Sequence, residues 1–589
     1  MRRLTLNEIE TLCASGCRAT DWTALAVADG FDATKLFNCS FRGYVKLGKC
    51  EIDNSTLRDC SVGSDCRVSH VRLLQGYNIG DGCELHNLGE LSAPATNYRP
   101  QVAAMNENGG RTISLFRGMT VGDAYLWAKF RGNHELTAKL QYLSEKESEQ
   151  KPIGYIGERC TIKNCLCIRN VAVENGCVIE NCTSVEDGII GRGCHVRNGV
   201  IAQRFLLGEN VTLENGLRLI DSVVGDNSTL ACCEVVSSMI FPAHEQHHNN
   251  SFLIAATVKG QSNIAAGATI GSNHNSRTAD GEIVAGRGFW PGLCSSFKHS
   301  SKFASYCILA KGDYQYELNI ALPFALVNNN MAKNQLEVMP AYWWMYNMYA
   351  LRRNAVKYRQ RDNRTAKRQH IEFDMFAPDT AEEIIAARKL IKLWTEEAYN
   401  PNLAGSGQQA ADSGRCIEIV AQGMENSKRK VLLLKAGEAY KAYGDMLVYY
   451  AMSLLTSGNN RERPQYNALS YEREKKWHNI GGQLVGESDL NRLFSSLKVF
   501  SSWDDVHKMM DCFWSDYPEQ KKLHAYQTLL DLYLCDKIDE ELWQALLERY
   551  DKICEEIESQ AVKTRQKDFS NPFRQATFDS DDEMHEVLK

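Results

Sequence analysis

The stretch from Ile156 to Ser228 repeats one five-residue word every 17 residues. Its copies read IGERC (156–160), VENGC (173–177), IGRGC (190–194), LGENV (207–211) and VGDNS (224–228). Two earlier copies, VGSDC (62–66) and IGDGC (79–83), keep the same interval, and a later segment places its apolar residues every six positions, at Phe252, Val258, Ile264 and Ile270. A step of six is too long for one helical turn and lacks the simple alternation of a strand. It fits a short strand plus a two-residue corner, three of which make one triangular coil stacked in parallel on the next.

The repeat resembles the hexapeptide pattern of the left-handed parallel β-helix acyltransferases. The likeness covers residues 36–91 and 152–328, and it implies the left-handed coil, which the spacing alone does not give. The words here are 17 residues apart instead of 18, so one corner per turn is shortened. The predicted fold class is therefore mainly a β-solenoid, with a helical insertion and a C-terminal all-α domain.

Composition shifts divide the chain into six predicted segments. Residues 92–151 interrupt the repeat with a Pro- and Gly-containing loop and a helical stretch, which either carries function or packs between subunits. After about residue 328 helical spacing replaces the period of six, and the predicted helices there include Trp503–Trp514 and Glu519–Leu534. The segments are an N-terminal helical cap (1–35) with a capping box of Thr5 and Glu8, the first coils (36–91), the insertion (92–151), the main solenoid (152–328), the helical domain (329–566) and a flexible tail (567–589).

The 21 cysteines serve packing in this interpretation. Seventeen of them lie between Cys13 and Cys307. Several occupy the small position of the word, where a buried small apolar side chain fits, and no Cys-x-x-Cys pair is present. We therefore expect reduced structural thiols and no bound metal. The residues at the small position are Cys66, Cys83, Cys160, Cys177 and Cys194.

Composition also limits the function classes. The net charge is −6 over 589 residues, so the overall charge does not favour binding to nucleic acid or to an anionic membrane. No apolar run of 18 residues and no secretory leader is found, which predicts a cytoplasmic protein without a membrane span. The segment from Leu351 to Gln369 is rich in Arg and Lys and could bind RNA or a nucleotide. We favour the alternative that its cations pair with acidic neighbours, and we do not expect a nucleic-acid partner.

Histidine and asparagine concentrate where the repeat is broken. The first group runs from His244 to Asn250, and the second from Ile270 to Arg277. Gln246 stands where the register expects an aliphatic residue, and His274 where it expects a small one. Two such violations in a regular solenoid are typical of a functional site. A Gly-rich aromatic loop with Trp290, and then Lys298 and His299, follow.

The resemblance to hexapeptide acyltransferases implies a chemistry for this zone. In that superfamily a histidine acts as general base on the acceptor's hydroxyl or amine, which attacks a thioester. The catalytic candidates by that analogy are His274, His248, His247 and Glu245. The substrate-binding candidates are Asn249, Asn250, Asn273, Asn275, Arg277, Trp290, Lys298 and His299. No tightly bound cofactor is expected; acyl-CoA or an acyl-carrier protein would be the co-substrate, a sugar or sugar nucleotide the acceptor, and a homotrimer the assembly.

Two other functions stay open. A metal-dependent enzyme of the γ-carbonic-anhydrase type would use His244, His247, His248 and His274 as ligands, although that family's spacing is not reproduced. A non-catalytic solenoid scaffold would need no site at all. The stretches Asn249–Arg277, Gly286–Leu293 and Phe324–Leu326 also resemble an uncharacterised family of large hexapeptide-repeat proteins from anaerobic gut bacteria, and this likeness implies no activity.

Overall fold

A computed structural model describes residues 1–94, 98–105, 111–271, 281–399, 417–456, 461–464 and 473–587. Short parallel strands stack coil upon coil into a left-handed β-helix-like solenoid, followed by a region of packed helices. The predicted fold class is confirmed. The C-terminal region is mainly helical and also contains short strands, among them Gln335–Met339, Lys430–Leu433 and Gln483–Gly486.

Among the described residues, two large sheets form the three faces of the solenoid. One sheet supplies a single face, with the strands Leu36–Phe37, Glu51–Asp53, Arg67–Val71, Glu84–Leu88, Thr161–Lys163, Val178–Glu180, His195–Arg197, Thr212–Glu214, Thr229–Ala231 and Glu245–Gln246. The other sheet bends around a corner and supplies two faces, with the strands Arg2–Arg3, Arg18–Ala19, Leu25–Val27, Ser40–Leu47, Thr56–Val62, Leu74–Gln75, Asn78–Ile79, Glu90–Ser92, Tyr155–Ile156, Cys167–Val173, Ser184–Ile190, Ile201–Leu207, Arg218–Val224, Cys233–Val236, Met239–Ile240, Ser251–Ile254, Ala256–Val258, Thr269–Ile270, Ile283–Ala285, Ser296–Phe297, Lys302–Phe303, Asp313–Tyr314 and Asn319–Ile320.

Three smaller sheets complete the strand inventory of the described residues. A sheet of six continues the solenoid into the helical region, with strands Trp290–Pro291, Ile308–Leu309, Leu326–Asn330, Gln335–Met339, Lys430–Leu433 and Ile419–Val420. Two hairpins stand apart from it, Gln101–Ala103 with Thr112–Ser114 and Trp477–Ile480 with Gln483–Gly486.

The register of the coils follows the repeated word. Val173 pairs in parallel with Ile190, and Ile190 with Leu207, so residues 17 apart stack directly on one another. Each seven-residue strand turns the corner at a residue with positive φ, such as Asn170 at 56°. Asn and Asp tolerate that left-handed conformation better than other residues with a Cβ. Period-17 stacking therefore carries aliphatic side chains into the interior and polar ones to the corners.

The cysteines at the small position form a buried column. All five are at most 2% exposed. Each Sγ donates to a carbonyl oxygen of the following coil at 3.0–3.2 Å. The neighbouring thiol of Cys177, together with burial, raises the pKa of Cys160 to about 12, which keeps it a protonated thiol. The cysteines of the described residues are free, as a packing role predicts.

The N-terminal cap begins with the predicted capping box. Helix α1 (Leu6–Ala14) starts after Thr5, whose side chain accepts from the Glu8 N–H while the Glu8 carboxylate accepts from the Thr5 N–H. The strand Leu25–Val27 pairs in parallel with Ser40–Leu47. The solenoid thus begins within the segment predicted as a helical cap.

The insertion packs on the solenoid of its own chain. It contains a hairpin, helix α2 (Val121–Lys129) and helix α3 (His134–Gln150). The N–H of Ala103 donates to Asp221 on a solenoid strand, and Tyr125 of α2 meets Phe241 edge to face at 4.9 Å. On its other side, Ser144 of α3 accepts a 3.0 Å hydrogen bond from the Trp503 indole. The insertion is therefore a layer between the solenoid and the helical region.

The C-terminal region contains nine helices among the described residues. Their bounds are α4 (Tyr342–Tyr346), α5 (Met348–Gln360), α6 (Pro378–Tyr399), α7 (Ala436–Leu455), α8 (Glu487–Ser496), α9 (Trp503–Tyr533), α10 (Glu540–Ser570), α11 (Pro572–Gln575) and α12 (Asp581–Val587). The prediction of two separate helices, Trp503–Trp514 and Glu519–Leu534, is wrong, because α9 is continuous and contains Pro518. The end of α10, α11 and α12 occupy the segment predicted as a tail.

Buried ion pairs join the helical region to the solenoid corners. The Arg287 guanidinium, 2% exposed, donates to both oxygens of Asp379 at 2.9 and 2.7 Å and to the Asp374 carbonyl at 2.8 Å. Further along the row of corners, Arg364 pairs with Asp226 at 2.9 Å. The segment between α5 and α6 therefore lies along the solenoid, and α5 is held over one of its faces.

Candidate functional site

A groove opens between helix α5 and the last strands of the ten-stranded sheet. Its volume is about 880 Å³. The solenoid wall contributes Glu214, Thr229, Glu245, His247 and Asn263, and the helix wall contributes Arg353, Val356, Lys357, Gln360 and Arg361. Two of the predicted catalytic residues, Glu245 and His247, thus share one cavity that is large enough for a small-molecule ligand.

Glu245 links the two walls of the groove. Its carboxylate pairs with Lys357 at 2.8 Å and with Arg361 at 2.7 Å. Burial raises the pKa of Glu245, but the two cations outweigh burial and lower the pKa below its ordinary value. Glu245 is therefore a carboxylate at neutral pH, and it holds α5 in place.

His247 is the titratable group of the groove that is suited to take a proton. Its ring lies 4.4 Å from that of His248, and both residues are exposed in the turn after the strand Glu245–Gln246. Burial and the neighbouring His248 lower the pKa of His247 below its ordinary value, and Glu245 opposes them. A histidine with a lowered pKa is neutral near pH 7 and can accept a proton.

Gln246 and His244 point into the solenoid, away from the groove. Both are fully buried; the His244 ring contacts the Gln246 side-chain oxygen through Nε2 at 3.2 Å, and the Gln246 amide donates to Ser251 at 3.0 Å. Burial lowers the pKa of His244 to about 4. The register violation at Gln246 is thus part of an internal polar cluster with His244 and Ser251, in which Nδ1 of His244 has no hydrogen-bond partner among the described residues.

The other described candidates lie outside the groove lining. Asn249 and Asn250 continue the exposed turn, and Asn250 occupies a corner with φ 61°. Trp290 lies on a strand with its ring 5.7 Å from Trp343, and Lys298 pairs with Glu317 at 2.7 Å. His299 is half-buried and already has an interaction partner. The remaining candidates, His274, Asn273, Asn275 and Arg277, lie outside the described residues.

The predicted site did not include the helix wall of the groove. The sequence predicted that the Arg and Lys side chains of residues 351–369 pair with acidic side chains. Several do: Lys357 and Arg361 with Glu245, and Arg352 with Glu558 at 2.5 Å. Arg353 also lines the groove, yet the described ion pairs of α5 do not involve it. Its spacing from Lys357 and Arg361, four and eight residues, was the available signal, because such residues share a helix face.

The histidines do not form a common metal site among the described residues. His244 is buried, whereas His247 and His248 are exposed. No group of three or more His, Cys, Asp or Glu side chains in this part of the chain is arranged to hold a metal ion. The ligand set proposed for a γ-carbonic-anhydrase type of enzyme is thus not assembled from these three histidines.

Comparison with known proteins places the groove within a shared domain. Residues 1–394 match the family model described as Domain of unknown function (DUF4954). The chain belongs to the DUF4954 family. Both walls of the groove fall inside the matched residues. The chain is also 39% identical, over 654 aligned positions, to an "Uncharacterized protein" of Treponema pallidum (strain Nichols), an alignment that covers all of this chain and 90% of that protein.

The DUF4954 match and the solenoid leave a transferase and a scaffold both compatible with the fold. In the part of the chain that the structure describes, no helix is long and apolar enough to span a bilayer.

Proposed function

We propose that the protein is a transferase that moves an acyl group from a coenzyme A or acyl-carrier thioester to a sugar or sugar nucleotide. The supporting observation is the position of His247, an imidazole with a lowered pKa that lines an open groove opposite the basic wall of α5. His247 is the general base of this proposal, because among the described catalytic candidates it is the histidine that lines the groove.

The proposed reaction couples one proton transfer to the transfer of the acyl group. His247 takes the proton of the acceptor's hydroxyl or amine, and the acceptor atom attacks the thioester carbonyl. The carbon–sulfur bond breaks as the new ester or amide bond forms, and the proton passes from His247 to the leaving thiolate. Arg353, which has no described carboxylate partner, is placed to bind a donor phosphate. Glu245 positions the helix and takes no part in the chemistry.

The test measures release of free coenzyme A from acetyl-CoA with a panel of amino and neutral sugars. We expect His247→Gln to lower kcat/KM by about 10²-fold or more, as loss of a general base does. We expect kcat/KM of the unmodified protein to persist below pH 6.5, because the pKa of His247 is lowered. Arg353→Gln should raise the KM for acetyl-CoA and leave kcat nearly unchanged.

His195→Gln is the matched control, since His195 lies on the same sheet but does not line the groove. Turnover that survives His247→Gln unchanged would contradict the proposal. Absence of turnover with every donor and acceptor pair would overturn it in favour of a non-catalytic scaffold.

A further inference from the structure

A second cavity lies on the other side of the segment that follows α5. Its volume is about 200 Å³, and it lies between the glycine corners of the solenoid, the start of α2 and residues 366–369. The solenoid wall of the cavity includes the buried residues Ile189 and Leu207 and the corner glycines Gly191 and Gly208. Four basic residues line it as well, and they come from three separate parts of the chain: Arg117, Lys151, Arg192 and Arg368.

The acidic residues of this cavity are already engaged by the protein. The carboxylate of Asp226 pairs with the buried Arg364 at 2.9 Å. Glu209 accepts hydrogen bonds from the consecutive N–H groups of residues 365, 366 and 367 at 2.5, 2.7 and 2.9 Å. Glu174 lies 3.5 Å from Arg117. These carboxylates hold the segment after α5 and the insertion in place. Because they already have partners within the protein, they do not make the cavity a site for a cation from solution.

Two of the arginines remain available to a ligand. Among the described residues no ion pair involves Arg192, and Arg368 makes one long bond, 3.4 Å, to the Gly118 carbonyl. Both residues are exposed. They lie on different walls of the cavity, Arg192 on a solenoid corner and Arg368 on the segment between α5 and α6. A guanidinium binds phosphate oxygens through paired N–H groups, and two of them can hold one phosphate from two sides.

We propose that this cavity binds a phosphorylated small molecule of the nucleotide class. The two arginines take the phosphate, and the rest of the ligand lies in the cavity beside the glycine corners. All the lining residues fall within 1–394, the part of the chain shared with the family. The proposal is independent of acyl transfer, because the His247 groove and this cavity share no lining residue.

The test is calorimetric titration of the full chain with AMP, adenosine and inorganic phosphate. We expect AMP to bind more tightly than inorganic phosphate, since the nucleoside adds contacts with the cavity walls, and adenosine to bind at least tenfold more weakly than AMP. Arg192→Gln and Arg368→Gln should each weaken AMP binding at least tenfold. The matched control is Arg159→Gln, an exposed arginine on the same row of corners that does not line the cavity.

Thermal unfolding of each variant establishes that it is folded, which is expected because both arginines are exposed. The proposal is overturned if AMP does not bind, if adenosine binds as tightly as AMP, or if Arg159→Gln weakens binding as much as Arg192→Gln. Activity at His247 has no bearing on these outcomes, so the two proposals fail separately.

Discussion

Replacing Arg287 should detach the helical region from the solenoid before either part unfolds. The guanidinium is buried and makes three hydrogen bonds, two to Asp379 in the first turn of α6 and one to the Asp374 carbonyl before it. Removing one partner of a buried ion pair costs about 3–5 kcal/mol, since the other charge stays buried without compensation. We therefore expect Arg287→Met to lower the free energy of unfolding of the helical region by about that amount.

Urea unfolding followed by tryptophan fluorescence measures this effect. Seven of the ten tryptophans lie at or after Trp343, so fluorescence reports mainly on the helical region, while far-ultraviolet circular dichroism also follows the solenoid. With a urea dependence of about 3 kcal/mol per molar, the expected loss shifts the fluorescence midpoint down by about 1–1.7 M. Arg218→Met is the matched control, because Arg218 pairs with Glu234 at the surface and should cost less than about 1 kcal/mol.

A double-mutant cycle with Asp379→Asn isolates the pair itself. The double variant should lose less stability than the two single variants lose together, because it leaves neither charge buried alone. A midpoint shift as small as that of Arg218→Met, or strictly additive single effects, would refute the assignment of Arg287 as the link.

Three further outcomes are expected. In Gly191→Ala the new Cβ would lie 2.2 Å from the Gly208 carbonyl oxygen, so adjacent coils must separate and the melting temperature should fall by several degrees; an unchanged melting temperature would contradict this spacing. Among the described cysteines of the native protein, a thiol reagent should react quickly with the exposed ones, Cys13, Cys294 and Cys512. Rapid native modification of the buried column, read by mass spectrometry, would contradict its burial. Burial lowers the pKa of His507, but its 2.9 Å contact with Asp123 outweighs burial, and the pKa in the folded protein is raised. The pair therefore contributes its full stabilisation of the folded state below the pKa of the unfolded chain, near 6.5. That stabilisation is lost as the pH rises through the folded-state pKa. Stability measured from pH 6 to 8 should therefore fall more in the unmodified protein than in His507→Gln, and equal slopes would refute it.

Much of the fold could be predicted because its contacts are periodic. Residues 17 apart stack directly, so the word IGxxC carries the register, the corner and the interior in one local pattern. The spacing of apolar residues predicted the helices of the C-terminal region less accurately. The sequence predicts two helices, Trp503–Trp514 and Glu519–Leu534, where the structure has the single helix α9. The proline inside α9 disturbs one turn of the helix, and packing on both sides of Pro518 keeps α9 continuous.

The candidate site was predicted on one wall only. The histidine zone pointed to Glu245 and His247, because these residues follow from their place in the coil. The opposite wall comes from α5, more than 100 residues later in the chain, and no repeat relates a helix to the sheet on which it packs. Gln246 was misinterpreted in the opposite way. From the sequence, its break in the register indicates a functional site. In the structure its side chain is buried inside the solenoid, where it donates to Ser251 and contacts His244.

The sequence by itself determined the solenoid, its register and the role of the buried cysteines, since each depends on neighbours at a fixed distance along the chain. The tertiary structure decided where the insertion and the helices lie, and with them both cavities. Those cavities form between elements joined by long-range ion pairs such as Arg287 with Asp379 and Arg364 with Asp226. The free energy of such pairs depends on burial and on geometry, and neither is written in the spacing of residues.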